Sequence, residues 1–195
     1  MNAFFAAKSY LPVAQAQADL SANRLEHPRF QAWVKHNVHA HKVAGYYAVT
    51  ISLKPLNVAP GDATSAQMES IANLADRFSF GEVRVSHLQN LVLADVAQKD
   101  LFELWQALDN QVLATGNAGL ATDIICCPGG DYCALANAKS IPVAAALQIQ
   151  LATKAEEIGP LAIKMSGCIN ACGHHHVGHI GILGVDKKDE EFYQI

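Results

Sequence analysis

All five cysteines lie between residues 126 and 172, and four of them form two spaced pairs. Five residues separate Cys127 from Cys133, and three separate Cys168 from Cys172. Each pair is flanked by glycines and sits beside a stretch that reads as a strand. If these thiolates act together, the fold must bring two distant loops to one place. Small residues in such loops let backbone N–H groups approach an anionic centre and donate to its sulfurs. A cubane iron–sulfur cluster needs four thiolates around one compact site, and two loops on adjacent strands can supply two each. Zinc also accepts four cysteines, but its pairs are usually closer, typically C-x2-C to C-x4-C. The remaining reading is four free thiols buried as small core residues.

Composition narrows the setting. The chain has 195 residues, enough for one large domain or two small ones, and 51% of them are apolar, enough to build a core. The net charge is −4 with no basic stripe, which argues against nucleic acid as a partner. No apolar run is long enough to span a bilayer, which leaves out a membrane partner. Residues 1–20 are Ala-rich and lack the h-region and cleavage pattern of a signal peptide. The expected location is therefore cytoplasmic, where clustered cysteines bind metal or do redox chemistry rather than form disulfides.

Three stretches follow one another. Residues 1–44 are expected to be an arm or linker, with a short amphipathic helix at 29–38 carrying Phe30, Trp33 and Val34 on one side. Residues 45–121 have cleaner signals. Residues 45–53 read as a strand. A helix should start near Thr64, three residues before Gln67 as in a capping box, with Met68, Ile71, Ala72, Ala75 and Phe78 at helical spacing. Residues 82–86 and 90–96 read as two short strands around a tight connection. A second helix is expected at 99–112, burying Leu101, Leu104, Trp105, Leu108 and Val112. The order β-α-β-β-α, closed by a last strand near 122–126, would make a ferredoxin-like split βαβ unit. Residues 122–195 carry the cysteines, a helix after Pro142 to about residue 157, and strands at 161–165 and 179–185. The fold class expected is α+β.

These motifs resemble the nitrite and sulfite reductase haemoprotein family. The resemblance rests on Cys127-x5-Cys133 and on Ser166-Gly167-Cys168-x-Asn170-x-Cys172 followed by Gly and His. Asp131-Tyr132-Cys133-Ala134-Leu135-Ala136 and Gly178-His179-Ile180-Gly181-Ile182-Leu183-Gly184 fit as well. Upstream, Gly81-Glu82-Val83-Arg84-Val85 leading to Gln89-Asn90-Leu91 resembles the family's half-domain. The likeness covers residues 45–195.

The resemblance implies a ferredoxin-like half-domain followed by an α/β domain that binds sirohaem and a [4Fe–4S] cluster. Cys127, Cys133, Cys168 and Cys172 would hold the cluster. Cys172 would also ligate the sirohaem iron, and Asn170 would sit beside the cofactors. The implied activity is the six-electron reduction of sulfite to sulfide, with nitrite to ammonia as the alternative. A shared thiolate offers electrons a short path and pushes density onto the iron. The implied partners are the enzyme's missing N-terminal half, an electron donor (a ferredoxin or a flavoprotein), and a small anion. Relative to that family the chain reads as a fragment, short at both ends and inactive alone. A different class remains open, a non-catalytic iron–sulfur relay or a zinc-stabilised module.

Other residues invite two readings each. Cys126 falls outside the matching register and reads as a buried thiol. His174, His175 and His176 form either a metal tract or a set of hydrogen-bond donors. His39 and His41 would share a face if both lay on a strand, as metal ligands or as interface side chains. Gln89 and Asn90 either approach the cofactor or close a hairpin. Arg84 and Lys164 read as solvated charges or as tuners of the site.

Overall fold

The computed structural model describes residues 7–188 and 190–195. The first six residues of the expected arm lie outside them. Two four-stranded sheets carry the chain.

The first sheet is antiparallel, in the order β1-β2-β4-β3. It is built from β1 (Val38–Ala40), β2 (Tyr46–Ile51), β3 (Arg84–Val85) and β4 (Leu91–Ala97). Because β2 and β3 both run antiparallel to β4, they are parallel to each other with β4 inserted between them. That is the split βαβ arrangement, with helix α4 (Ser65–Phe78) as the crossover. Thr64 caps this helix: its hydroxyl accepts from the Gln67 N–H at 3.2 Å, and the Gln67 side chain returns to the Thr64 N–H at 3.0 Å. The buried stripe is Ile71, Leu74, Ala75 and Phe78. Met68 and Ala72, expected in it, face outward, because the sheet meets the helix about one residue further round. Helix α5 (Leu101–Asp109) buries Leu101, Leu104, Trp105 and Leu108 as the spacing predicts. It stops before Val112, which takes a left-handed φ of 60° and is exposed.

One expectation is corrected. The strand expected near 122–126 does not close the first sheet. The edge beside β2 is taken from the other direction, by β1. The short strand β5 (Ile125–Cys126) instead opens the second sheet. Helix α3 (Pro28–Asn37), within the stretch expected to be an arm, drives Phe30 and Trp33 into the core of the first sheet. Short helices α1 (Val13–Ala16) and α2 (Ser21–Glu26) precede it, and Ala16 packs against Tyr46 and Ala97 on the sheet's opposite face. A bulge on β4 opposite Ala48 turns Asp95 toward Lys8 and Tyr10, which donate to it at 2.5 and 2.6 Å. Burial alone would raise the Asp95 pKa, but these bonds hold it below the ordinary carboxylate range.

The second sheet has the order β5-β6-β7-β8, with β6 (Ile163–Ser166), β7 (Ile180–Lys187) and β8 (Glu190–Gln194). The first three strands are parallel and β8 returns antiparallel. The crossover from β5 to β6 passes through α6 (Ile141–Leu151), with Pro142 in its first turn, and the single turn α7 (Ala155–Ile158). Ala144 of α6 meets Ile124, Cys126, Ile163, Met165 and Ile182 in a second, smaller core.

A buried polar seam joins the two sheets. The Lys54 ammonium is fully enclosed and donates to Asp123 Oδ1 at 2.6 Å and to the Leu88 carbonyl. Asn90 Nδ2 donates to the same Asp123 oxygen at 3.1 Å, and its own oxygen accepts from the Leu53 N–H at 3.1 Å. Asp123 Oδ2 accepts from the Gly119 N–H at 2.9 Å. Burial pulls the Lys54 pKa down, and Asp123 opposes the shift. A buried ion with its partner removed is expensive, whereas an apolar replacement of the whole pair is not. Asp123→Ala should therefore cost about 3–5 kcal/mol in urea unfolding, and Lys54→Met combined with Asp123→Leu should recover more than half of that loss.

Candidate functional site

Both cysteine loops leave the C-terminal ends of neighbouring parallel strands. The first follows β5 and carries Cys127 and Cys133. The second follows β6 and carries Cys168 and Cys172. Parallel pairing places these ends side by side, which is where open α/β sheets bind ligands.

The four cysteines line one cavity of about 100 Å³, together with Pro128, Leu135, Ala136, Ser166 and Asn170. Cys127 and Cys168 are buried, Cys133 is half-buried and Cys172 is exposed. The cavity is therefore closed on the strand side and open beside Cys172. Among the described residues, no carboxylate or ammonium group lines it. Cys127 Sγ accepts from the Gly167 N–H at 3.1 Å and lies 3.5 Å from Ser140 Oγ. The Gly167 N–H is a fixed donor to that sulfur, while in the Ser140 contact either atom can donate.

The loops interlock through backbone. The Gly167 carbonyl accepts from the Asn137 and Ala138 N–H groups at 2.8 and 3.0 Å. The Cys133 N–H donates to the Gly129 carbonyl at 2.9 Å. Gly167 and Gly129 are the crossing point. A Cβ on Gly167 would stand 2.6 Å from the Ala138 oxygen and 2.9 Å from Gly129 Cα. Gly129 holds φ at +59°, and a Cβ there would lie 2.4 Å from the Ser140 nitrogen. Only glycine allows this approach.

Cys126 points the other way, into the second core, where burial, followed by the neighbouring Cys127, pushes its thiol up to about 12. At neutral pH it is a protonated small apolar residue. None of His174, His175 and His176 lines the cysteine cavity. His174 takes a left-handed φ of 54°, and the His175 and His176 rings meet edge to face with centroids 5.4 Å apart. His39 and His41 diverge, because β1 ends at Ala40 and alternation ends with it. His39 lies 3.3 Å from Thr50 Oγ1, and His41 lies 3.5 Å from Asp95. Arg84 pairs with Glu82 at 2.5 Å on the surface, and Lys164 makes no ion pair among the described residues. Asn90 belongs to the buried seam. Gln89 reaches the backbone of Cys126, with Nε2 2.7 Å from its oxygen and Oε1 3.0 Å from its nitrogen. Ser140 was not legible as a site residue. It is thirteen residues from Cys127 in sequence, and only the loop's return brings it there.

Among the described residues, no three His, Cys, Asp or Glu side chains converge closely enough to hold one metal ion. A tetrahedral zinc with Zn–S bonds of about 2.3 Å would need its sulfurs about 3.8 Å apart. The four cysteines share one cavity without that convergence.

Comparison with known proteins follows the same lines. Residues 39–111 match the nitrite/sulfite reductase ferredoxin-like half domain. The ferredoxin–nitrite reductase of Synechococcus elongatus is 28% identical over 171 residues, which is 86% of this chain and 32% of that protein. The chloroplastic ferredoxin–nitrite reductase of Zea mays is 30% identical over 160 residues, 79% of this chain and 26% of that protein. The sulfite reductase [NADPH] hemoprotein beta-component of Staphylococcus carnosus is 29% identical over 119 residues, 58% of this chain and 21% of that protein. The Mycobacterium tuberculosis NirA structure has the same fold, with a TM-score of 0.63 and 24% identity over 81% of this chain and 29% of that one. The chain thus spans about a third or less of the relatives it matches. Its fold is α+β, a ferredoxin-like half domain joined to a second four-stranded sheet that presents cysteine loops. Residues 39–111 carry the nitrite/sulfite reductase ferredoxin-like half domain, and the chain is similar to reductases of both names.

Overpacking at the crossing point should be felt locally. Gly167→Ala is expected to destabilise the chain by about 1–3 kcal/mol and to raise the alkylation rate of Cys127, measured by thermal unfolding and peptide mass mapping.

Proposed function

We propose that the chain is the cluster-bearing half of a sirohaem-dependent reductase of sulfite or nitrite, with Cys127, Cys133, Cys168 and Cys172 as the ligands of a [4Fe–4S] cluster. The observation that carries this reading is the single cavity lined by those four side chains, fed by two loops on adjacent parallel strands. Its donor set, its apolar walls and the N–H donated to Cys127 suit a buried anionic cluster.

Such a cluster, when bound, supplies one-electron steps to a neighbouring acceptor. The residues of this chain then have separable tasks. The buried Cys127 and Cys168 anchor the closed side. Cys172, exposed at the open side, would be the one to meet a second cofactor, which suits a thiolate shared with a sirohaem iron. Asn170 lines the same mouth. A sirohaem carries several carboxylates, and these need cations. The adjoining cavity of about 500 Å³, between Gly61, Asp62, Gln89 and Tyr132, has no Lys or Arg in its lining. The cationic clamp would therefore come from the other half of the enzyme, and so would the residues that hold the anion. Both anions need six electrons and a supply of protons, so nothing in the cysteine site prefers one. Sulfite reduction is the first reading and nitrite reduction stands beside it, since relatives of both names match. The donor would be a ferredoxin or a flavoprotein, as the names of those relatives suggest. No helix among the described residues is long and apolar enough to cross a membrane.

The test is the iron, acid-labile sulfide and zinc content of the anaerobically reconstituted chain. About four irons and four sulfides per chain are expected. About one zinc with no sulfide would replace the proposal with a structural zinc module. Cys168→Ala should bring bound iron to below about one per chain, because three thiolates leave the cubane open. Cys126→Ala, whose side chain lies in the second core, should keep iron at the level of the unaltered chain.

A further inference from the structure

Strand β5 is the edge of the second sheet, and its last residue directly precedes a proposed cluster ligand. In a parallel ladder the N–H and C=O of one residue point to the same side, and those of its neighbours point to the other. The Cys127 N–H donates inward, to the Met165 carbonyl of β6 at 3.2 Å. The Cys126 N–H and C=O therefore point outward, where no further strand pairs with them. A buried edge peptide needs partners. Both come from one side chain of the other sheet. Gln89 Nε2 donates to the Cys126 carbonyl at 2.7 Å, and Gln89 Oε1 accepts from the Cys126 N–H at 3.0 Å. The carboxamide does what one residue of a neighbouring strand would do.

Gln89 is itself firmly placed. It sits in the left-handed region at φ 56°, a conformation a non-glycine residue keeps only when its surroundings impose it. Leu88, before it, receives the Lys54 ammonium on its carbonyl, and Asn90, after it, is bonded to Asp123 and Leu53. On its outer side Gly61 leaves room for its stem, since a Cβ there would stand 3.1 Å from Gln89 Cβ. The turn between β3 and β4 thus holds out a fixed amide to the end of β5.

We propose that Gln89 is a positioning residue for the Cys127 thiolate. By clamping the Cys126 peptide it fixes where Cys127 Sγ sits relative to the Gly167 N–H, 3.1 Å away on the neighbouring loop. Hydrogen bonds to cluster sulfurs help set reduction potential, and residues behind the ligands govern how firmly a metal group is held. In its loaded form this inference rests on the cluster reading above, but the placement of the thiol exists without any metal.

Two variants suit the left-handed backbone and lose the clamp. Gln89→Gly removes the side chain, and Gln89→Asn keeps the carboxamide one methylene too short to reach. Native-state alkylation of the metal-free chain, mapped by peptide mass, is expected to speed up about tenfold at Cys127 in both variants. Cys168, whose strand keeps both neighbours, should react as in the unaltered chain. Equal acceleration at both cysteines would show a general loosening and overturn the proposal, as would no change at Cys127. In the reconstituted chain the cluster should be lost to a chelator about tenfold faster, and its midpoint potential should move negative as Sγ loses its donor. An unaltered potential and unaltered lability in both variants would equally overturn it. If the unaltered chain takes up no iron, the cluster reading fails, and the alkylation pattern still decides the role of Gln89.

Discussion

The Asp123 carboxylate is the point on which the two sheets depend. One of its oxygens takes the enclosed Lys54 ammonium and the Asn90 amide, and the other takes the Gly119 N–H. Lys54 follows β2, Asn90 precedes β4, and Asp123 precedes β5. A single buried anion therefore ties the central strands of the half domain to the first strand of the cysteine-bearing sheet. An apolar contact could supply comparable burial but no register, because hydrophobic association is not directional. A charged pair that must be satisfied admits one arrangement, and three and four residues further on that arrangement carries Cys126 and Cys127.

The geometry of the cysteine loops follows from this anchor and from an absence of side chains. Gly129 and Gly167 cross at backbone contact distance, which lets one loop donate an N–H to the thiol of the other. The same closeness leaves the cavity small and closed on the strand side. Cys172 is left at the rim, where a bound group could be shared with something outside the chain. On the proposed reading the chain would present half of a reaction site: its sulfurs and their backbone donor would hold the cluster, while the described lining of the adjoining cavity has no Lys or Arg for an anionic substrate or a carboxylated macrocycle.

Local signals in the sequence were reliable where local physics decides. The capping box at Thr64 and Gln67, the apolar stripe of α5 from Leu101 to Leu108, Pro142 in the first turn of α6 and the strand at 46–51 all formed where their patterns place them. The partnership of strands was not legible in the same way. Residues 125–126 have the composition of a strand, but nothing in them says which sheet they join. They went to β6, and β1 filled the vacant edge of the first sheet. His39 and His41 share a face only while a strand continues, and a strand ending one residue short of His41 separated them. Phe30 and Trp33 looked like one side of an isolated helix and became part of the main core, because a large apolar sheet face remained uncovered without them.

The sequence by itself determined the candidates for the chemistry: two glycine-flanked cysteine pairs, set apart from Cys126 by the register of the motifs they resemble, and the class of protein those motifs resemble. Thiol chemistry belongs to residue type, and type and spacing are written in the chain. Only the tertiary structure decided that the four side chains share one cavity, that Cys126 turns into the core, that Ser140 stands beside Cys127, and that Gln89 braces the peptide before it. Those facts depend on long-range pairing, where contacts between residues tens of positions apart are set by the packing of the whole chain and leave no periodic trace in the sequence.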